Sequence, residues 1–139
     1  MDQLSITPYL FFKGNAREAM EFYKSVFGGE LNIQTMGQSP KEAQMPGANP
    51  DSVMHARLKG PINLLASDSQ NASDHAAKIE LSINGGSAEE NKMRAMFDKL
   101  SEGGNVKMKL EKMFWGDIYG QLTDKYGVDW MMNIGDSMA

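Results

Sequence analysis

A chain of 139 residues has room for one domain of the usual ~100–200 residues and none for a cofactor domain beside a substrate domain. Fourteen Lys and Arg against eighteen Asp and Glu give a net charge of −4, the wrong balance for binding nucleic acid through a basic patch. There is no cysteine, which excludes disulfides, thiolate metal sites and a cysteine nucleophile.

The opening Met1-Asp2-Gln3-Leu4-Ser5 lacks the basic segment and apolar run of a secretory signal, and no apolar stretch reaches the ~18 residues of a membrane span. A cytoplasmic protein without a membrane partner is expected. Ile6 to Phe12 is rich in strand formers. Asn15 with Glu18 reads as a capping box, and Ala16, Ala19, Met20, Tyr23, Val26 and Phe27 form one helical stripe that stops at Gly28-Gly29. Three short strands follow: Leu31 and Ile33 alternate with Asn32 and Gln34, Met54, Ala56 and Leu58 alternate with Val53, His55 and Arg57, and Ile62 to Ala66 is an apolar run.

The second half repeats the order. Ile79, Leu81 and Ile83 alternate with Lys78, Glu80 and Ser82; Ser87 and Glu90 offer a second capping box; Met93, Met96, Phe97 and Leu100 give the stripe. Val106, Met108 and Leu110 alternate with Lys107, Lys109 and Glu111, then come Ile118 to Leu122, and Trp130, Met132 and Ile134 alternating with Met131 and Asn133. Phe22 precedes Gly28-Gly29 by the interval that separates Phe97 from Gly103-Gly104, as an internal duplication would leave it. The expected fold is α+β, two β-α-β-β-β modules in one domain: module one about 1–68, a polar linker about 69–76, module two about 77–139. Gly37 to Pro50 is a Gly- and Pro-rich loop inside module one.

Thr7-Pro8-Tyr9-Leu10-Phe11-Phe12, Gly14-Asn15-Ala16, Phe22-Tyr23, Phe27-Gly28-Gly29, Val53-Met54-His55-Ala56, Ser67-Asp68, Phe114-Trp115-Gly116, Leu122 to Val128 and Trp130-Met131-Met132-Asn133 together resemble the PhnB-like branch of the vicinal oxygen chelate superfamily. That superfamily includes glyoxalase I, extradiol dioxygenases, fosfomycin-modifying enzymes and bleomycin-resistance proteins. The resemblance covers nearly the whole chain and implies curved mixed sheets that form a cup, completed in a homodimer. Metal-dependent relatives carry four inward ligands, mostly His and Glu. Carried over one by one, these positions fall at Pro8, at Leu65 or Ala66, at Lys78 and at Met131, none of them a suitable ligand for a hard divalent ion. No metal and no cofactor are therefore expected.

Alternation places Lys78, Glu80, Ser82, Met131 and Asn133 on the inward faces. Lys78 either neutralises an anionic ligand or pairs with Glu80. His55 is a candidate base or ligand donor, or else a hydrogen-bonded structural residue, while His75 sits in the polar linker. Trp115 and Tyr119 form a stacking wall, or close a core or dimer interface. Proteins of this branch are often called demethylubiquinone methyltransferase-like, but no G-x-G-x-x-G follows a strand here.

Three readings stand. The first is a metal-free binder of an unidentified small molecule that uses His55, Lys78, Glu80, Trp115, Tyr119 and Met131, with the Gly37–Pro50 loop as a lid. The second is a lyase, isomerase or dioxygenase with a non-standard metal site among His55, Glu80 and Asp129, or a His55/Glu80 acid–base pair. The third is an interaction protein acting through its dimer surface.

Overall fold

The computed structural model describes residues 5, 7–38, 49–69 and 79–136. Its strands and helices run β1 (Tyr9–Phe12), α1 (Ala16–Phe27), β2 (Glu30–Thr35), β3 (Val53–Lys59), β4 (Leu64–Asp68), β5 (Leu81–Gly85), α2 (Glu90–Ser101), β6 (Asn105–Lys112), β7 (Ile118–Thr123) and β8 (Asp129–Ile134). The chain divides into two compact units, one on each side of the 75/76 boundary.

In unit 1 the strands lie in the order β1-β4-β3-β2, and in unit 2 in the order β5-β8-β7-β6. The outer pair of each sheet, β1 with β4 and β5 with β8, is parallel, and the other pairs are antiparallel. Both units are therefore β-α-β-β-β modules of one topology, the mixed α+β arrangement expected from the doubled pattern. Among the described residues no helix is long and apolar enough to cross a membrane.

The helices bury the stripes that periodicity marks: Ala16, Ala19, Met20, Tyr23, Val26 and Phe27 on α1, and Met93, Met96, Phe97 and Leu100 on α2. α1 packs on β2, β3 and β4, and α2 on β6, β7 and β8, so each sheet has one face under a helix. Beneath α1 lie Phe12, Ala56, Leu58, Leu64 and Ala66; Leu122, Trp130 and Met132 are their counterparts in unit 2. At roughly 1.5–3 kcal/mol per fully buried large apolar side chain, these faces supply the main stabilising term of each unit.

Several local expectations need correction. Neither helix start uses a capping box, for Asn15 and Glu89 make no side-chain cap hydrogen bond. Instead Asp68 Oδ1, at the end of β4, accepts from the N–H groups of Gly14 and Ala16 at 3.0 and 2.9 Å, while Oδ2 accepts from Val53 N at 2.9 Å. In unit 2, Ser87 opens a 3-10 turn before α2, and Asp136 accepts from its N–H at 3.2 Å and from its hydroxyl at 3.0 Å. The orphan donors of a helix start need an acceptor, and in both units a carboxylate distant in sequence provides it.

β6 departs from its pattern as well. It is an edge strand with two register shifts against β7, so Val106 and Met108 stay exposed where alternation puts them in a core. Ile79 is 73% exposed and precedes β5, so the apolar face of that strand begins only at Leu81.

Candidate functional site

Strand alternation leaves each sheet a face turned away from its helix. In unit 2 this face carries Ser82 and Asn84 from β5, Tyr119, Gln121 and Thr123 from β7, and Asp129, Met131 and Asn133 from β8. The register fixes the neighbours, with Tyr119 opposite Asn133, Gln121 opposite Met131, and Thr123 opposite Asp129. Gln121 Nε2 donates to Tyr119 Oη at 2.8 Å, and that hydroxyl donates to Met131 Sδ at 3.6 Å. The Trp115 ring meets Tyr119 edge-on at 6.1 Å between centroids, and Phe114 meets Trp115 edge-on at 4.9 Å.

The loop holding these two aromatic side chains is anchored at its end. Asp117 Oδ2 accepts from Asn133 Nδ2 at 3.0 Å, and the Asp117 carbonyl accepts from Met113 N at 2.8 Å. Asn133 is consequently buried, a correction to the expectation that it lines an open cavity. Gly135 approaches Asp117 so closely that a Cβ there would meet the carboxylate. At the other end of the face Asp129 Oδ1 accepts from Thr123 Oγ1 at 2.6 Å and from Lys107 Nζ at 3.4 Å.

In unit 1 the corresponding face presents Tyr9 and Phe11 from β1, Leu65 and Ser67 from β4, and His55 and Arg57 from β3. Tyr9 and Phe11 stack at 4.9 Å. Tyr9 Oη lies 3.3 Å from His55 Nδ1, with the phenol donating when that nitrogen is unprotonated. Tyr9 is 39% and Phe11 58% exposed. Large rings turned to solvent are surface that a ligand or partner can cover.

Tyr119, Met131 and Trp115, chosen from the sequence as candidates, thus form one contiguous group in unit 2. His55 sits in unit 1 with Tyr9 as its partner. Glu80 is exposed and lies before the first residue of β5, in alternation with Ser82. Lys78 and His75 lie outside the described residues, as does most of the Gly37–Pro50 loop, whose ends meet where Gly37 N donates to the Pro50 carbonyl at 2.8 Å. Sequence reading missed Tyr9 and Gln121, although each stands two residues from an aromatic on the same strand face (Phe11 and Tyr119).

The superfamily implies a metal ion held by side chains on the open faces of the strands. Pro8 precedes β1 in alternation with Leu10 and Phe12, on the face that buries Phe12, which corrects its placement as an inward position; the open-face neighbours are Thr7 and Tyr9. Leu65 is on the open face, Ala66 is fully buried on the other, and Met131 is engaged by Tyr119. The Tyr9 phenol, the apolar Leu65 side chain and the Met131 thioether do not suit a hard divalent ion. Among the described residues no three His, Asp or Glu gather closely enough to hold one.

A family model described as 3-demethylubiquinone-9 3-methyltransferase matches residues 4–133. The protein YjdN of Escherichia coli K12 is 30% identical, over 94% of this chain and 95% of its own length. Among solved structures, protein PA1353 from Pseudomonas aeruginosa superposes with a TM-score of 0.81 at 38% identity, covering 96% of this chain and 98% of that one. The PhnB protein from Bacillus cereus gives 0.72 at 28% identity, over 95% and 100%. The fosfomycin resistance protein FosX from Mesorhizobium loti, 6% identical over 99% of this chain and 97% of that one with a TM-score of 0.60, shares the fold. The chain belongs to this family, the PhnB-like branch of the vicinal oxygen chelate superfamily.

Proposed function

We propose that this PhnB-like chain is a small-molecule-binding protein that works without a metal ion and takes its ligand against the helix-free faces of its sheets. The observation that carries the reading is the Trp115–Tyr119–Gln121–Met131 group. It offers an aromatic edge, a polarizable thioether and an amide tied to a phenol, a mixture suited to a flat, largely apolar ligand with one or two polar substituents. Tyr9, Phe11 and His55 offer a second surface of similar kind. Lys78 and Glu80 remain part of the proposal as the charged members of the site, as do a homodimer, a cytoplasmic setting and action of the two units as one domain.

The family description names methyl transfer. Lys13-Gly14-Asn15 before α1 and Gly85-Gly86-Ser87 before α2 lack the glycine spacing with which a dinucleotide-type loop would hold a nucleotide-linked methyl donor. Methyl transfer is therefore not part of the reading. Resistance by sequestration, as a bleomycin-resistance protein would perform it, is the nearest functional class.

A thermal-shift screen of planar hydrophobic antibiotics and small anions, run with a chelator present, tests this, because a ligand that binds only the native state raises the melting temperature. A hit whose shift is lost in Tyr119→Phe and Trp115→Ala supports the reading. Hits that appear only after adding zinc, nickel, manganese or iron refute it and favour the enzyme reading. In that case the Tyr9–His55 hydrogen bond is the observation that would make His55 a base.

A further inference from the structure

We infer that unit 1 contains an oxyanion-binding pocket, separate from the aromatic face of unit 2, whose charged members are Arg57 and Lys59 of β3. A depression of about 310 Å³ lies at the end of the β3–β4 pair, near the lower bound of ordinary ligand clefts. Arg57 and Lys59 line it together with Thr7 and Ser5 from the approach to β1, Asn63 from the turn, and Leu65 from β4.

The chemistry of the lining is one-sided. Arg57 and Lys59 stand at i and i+2 on one strand face, about 7 Å apart along β3, a separation that a single oxyanion can bridge. A guanidinium presents a planar fork of donors and an ammonium presents a compact point charge. Asn63 Oδ1 accepts from Gly60 N at 3.3 Å, which leaves its amide N–H groups as the side chain's free functionality. Thr7 and Ser5 add hydroxyl donors, and no lining residue is acidic.

Among the described residues neither cation has an ion-pair partner. Glu30 is opposite Lys59 and Asn32 opposite Arg57 in the β2–β3 register, yet the ion pairs of the described residues involve neither Arg57 nor Lys59. Two cations on one strand face, beside the hydroxyls of Thr7 and Ser5 and the Asn63 amide and above the apolar Leu65, form a site that is complementary to negative charge. The ligand class is a small oxyanion, either a tetrahedral phosphate or sulfate or the carboxylate of a larger molecule.

Titration of inorganic phosphate into isotope-labelled full-length protein, followed by backbone amide shifts, provides the test. The expected result is a saturable change at residues 57–59 and 63–65 with an affinity in the millimolar range. Arg57→Gln with Lys59→Gln should weaken it by about tenfold or more, the loss expected for two charge-assisted hydrogen-bonding groups. Both side chains are exposed, so the fold should tolerate the change, and unperturbed amide positions elsewhere would verify that. Lys24→Gln with Lys92→Gln removes the same charge from exposed helix positions and should leave the affinity within about twofold, as distant exposed charges are screened. Acetate in place of phosphate tells the two sources apart, since tighter phosphate assigns a tetrahedral dianion and tighter acetate a carboxylate. Shifts that do not saturate, or equal weakening by both double variants, would overturn the site. Because the pocket is confined to unit 1, its failure leaves the Tyr119–Met131 face untested and intact, and the reverse holds as well.

Discussion

The two units have the same strand order and the same helix placement, but they are pinned and furnished differently. In unit 1 one carboxylate, Asp68, joins the end of β4 to the start of α1 and to the first residue of β3. In unit 2 that work is divided: Asp136 holds the turn before α2, Asp117 holds the aromatic loop to β8, and Asp124 closes the β7–β8 turn. The open faces differ in kind too. Unit 1 shows stacked rings, an imidazole and two cations, whereas unit 2 shows a neutral network of phenol, amide and thioether. A duplicated backbone therefore fixes where a face lies, and the side chains on it set what each face can bind.

The division of labour can be broken one carboxylate at a time. Asp124 is buried and accepts from Tyr126 N at 2.8 Å, Val128 N at 3.0 Å and Trp130 Nε1 at 2.8 Å. Asp124→Ala orphans these donors and should destabilise unit 2 by about 3–5 kcal/mol. Trp115 and Trp130 are the chain's two tryptophans and both lie in unit 2, so their fluorescence during urea unfolding reads this loss directly. Asp68→Ala removes a half-buried acceptor from three backbone donors and should take about 2–3 kcal/mol from unit 1, read by far-ultraviolet circular dichroism with the tryptophan transition less affected. A smaller loss in the tryptophan transition would show that the two units unfold separately, and equal loss in both probes would show the cooperative unfolding of one domain.

Smaller effects sharpen the same contrast. Gly29 adopts φ +106°, and a Cβ there would lie 2.5 Å from the Lys59 carbonyl oxygen, so Gly29→Ala should destabilise unit 1 by about 1–3 kcal/mol. Gly104 meets the Thr123 carbonyl in the same way at the start of β6, but without a positive φ, so its replacement tests the close approach alone. Tyr119→Phe leaves Gln121 Nε2 without its acceptor and should cost about 1 kcal/mol or less in stability, while abolishing the shift given by a ligand that contacts the phenol.

The long-period features were legible in the sequence because burial enforces them. Ala16 through Phe27 and Met93 through Leu100 announce their helices by a stripe, and the Phe22 and Phe97 spacings announce the repeat. What escaped was non-local. Asn15 and Ser87 look like caps within four residues, but Asp68 and Asp136 supply the acceptors from 52 and 49 positions away in the chain, and no local pattern encodes such a contact. Alternation put Asn133 on the correct side of β8 yet could not show that Asp117 covers it. The β6 pattern failed because bulges shift the register of an edge strand, which sequence spacing does not reveal. Tyr119 and Met131 were recoverable because neighbouring strands bring i and j positions together at fixed register, while Arg57 drew no attention among ordinary surface charges.

We propose that ligand binding on this scaffold needs no metal: Tyr9, Leu65 and Met131, which stand on the open faces of β1, β4 and β8, are poor ligands for a hard divalent ion. Elemental analysis of the purified, dialysed protein tests it most directly. Zinc, nickel, manganese and iron should all lie far below one equivalent per chain; near-stoichiometric metal that survives dialysis would overturn the metal-free reading.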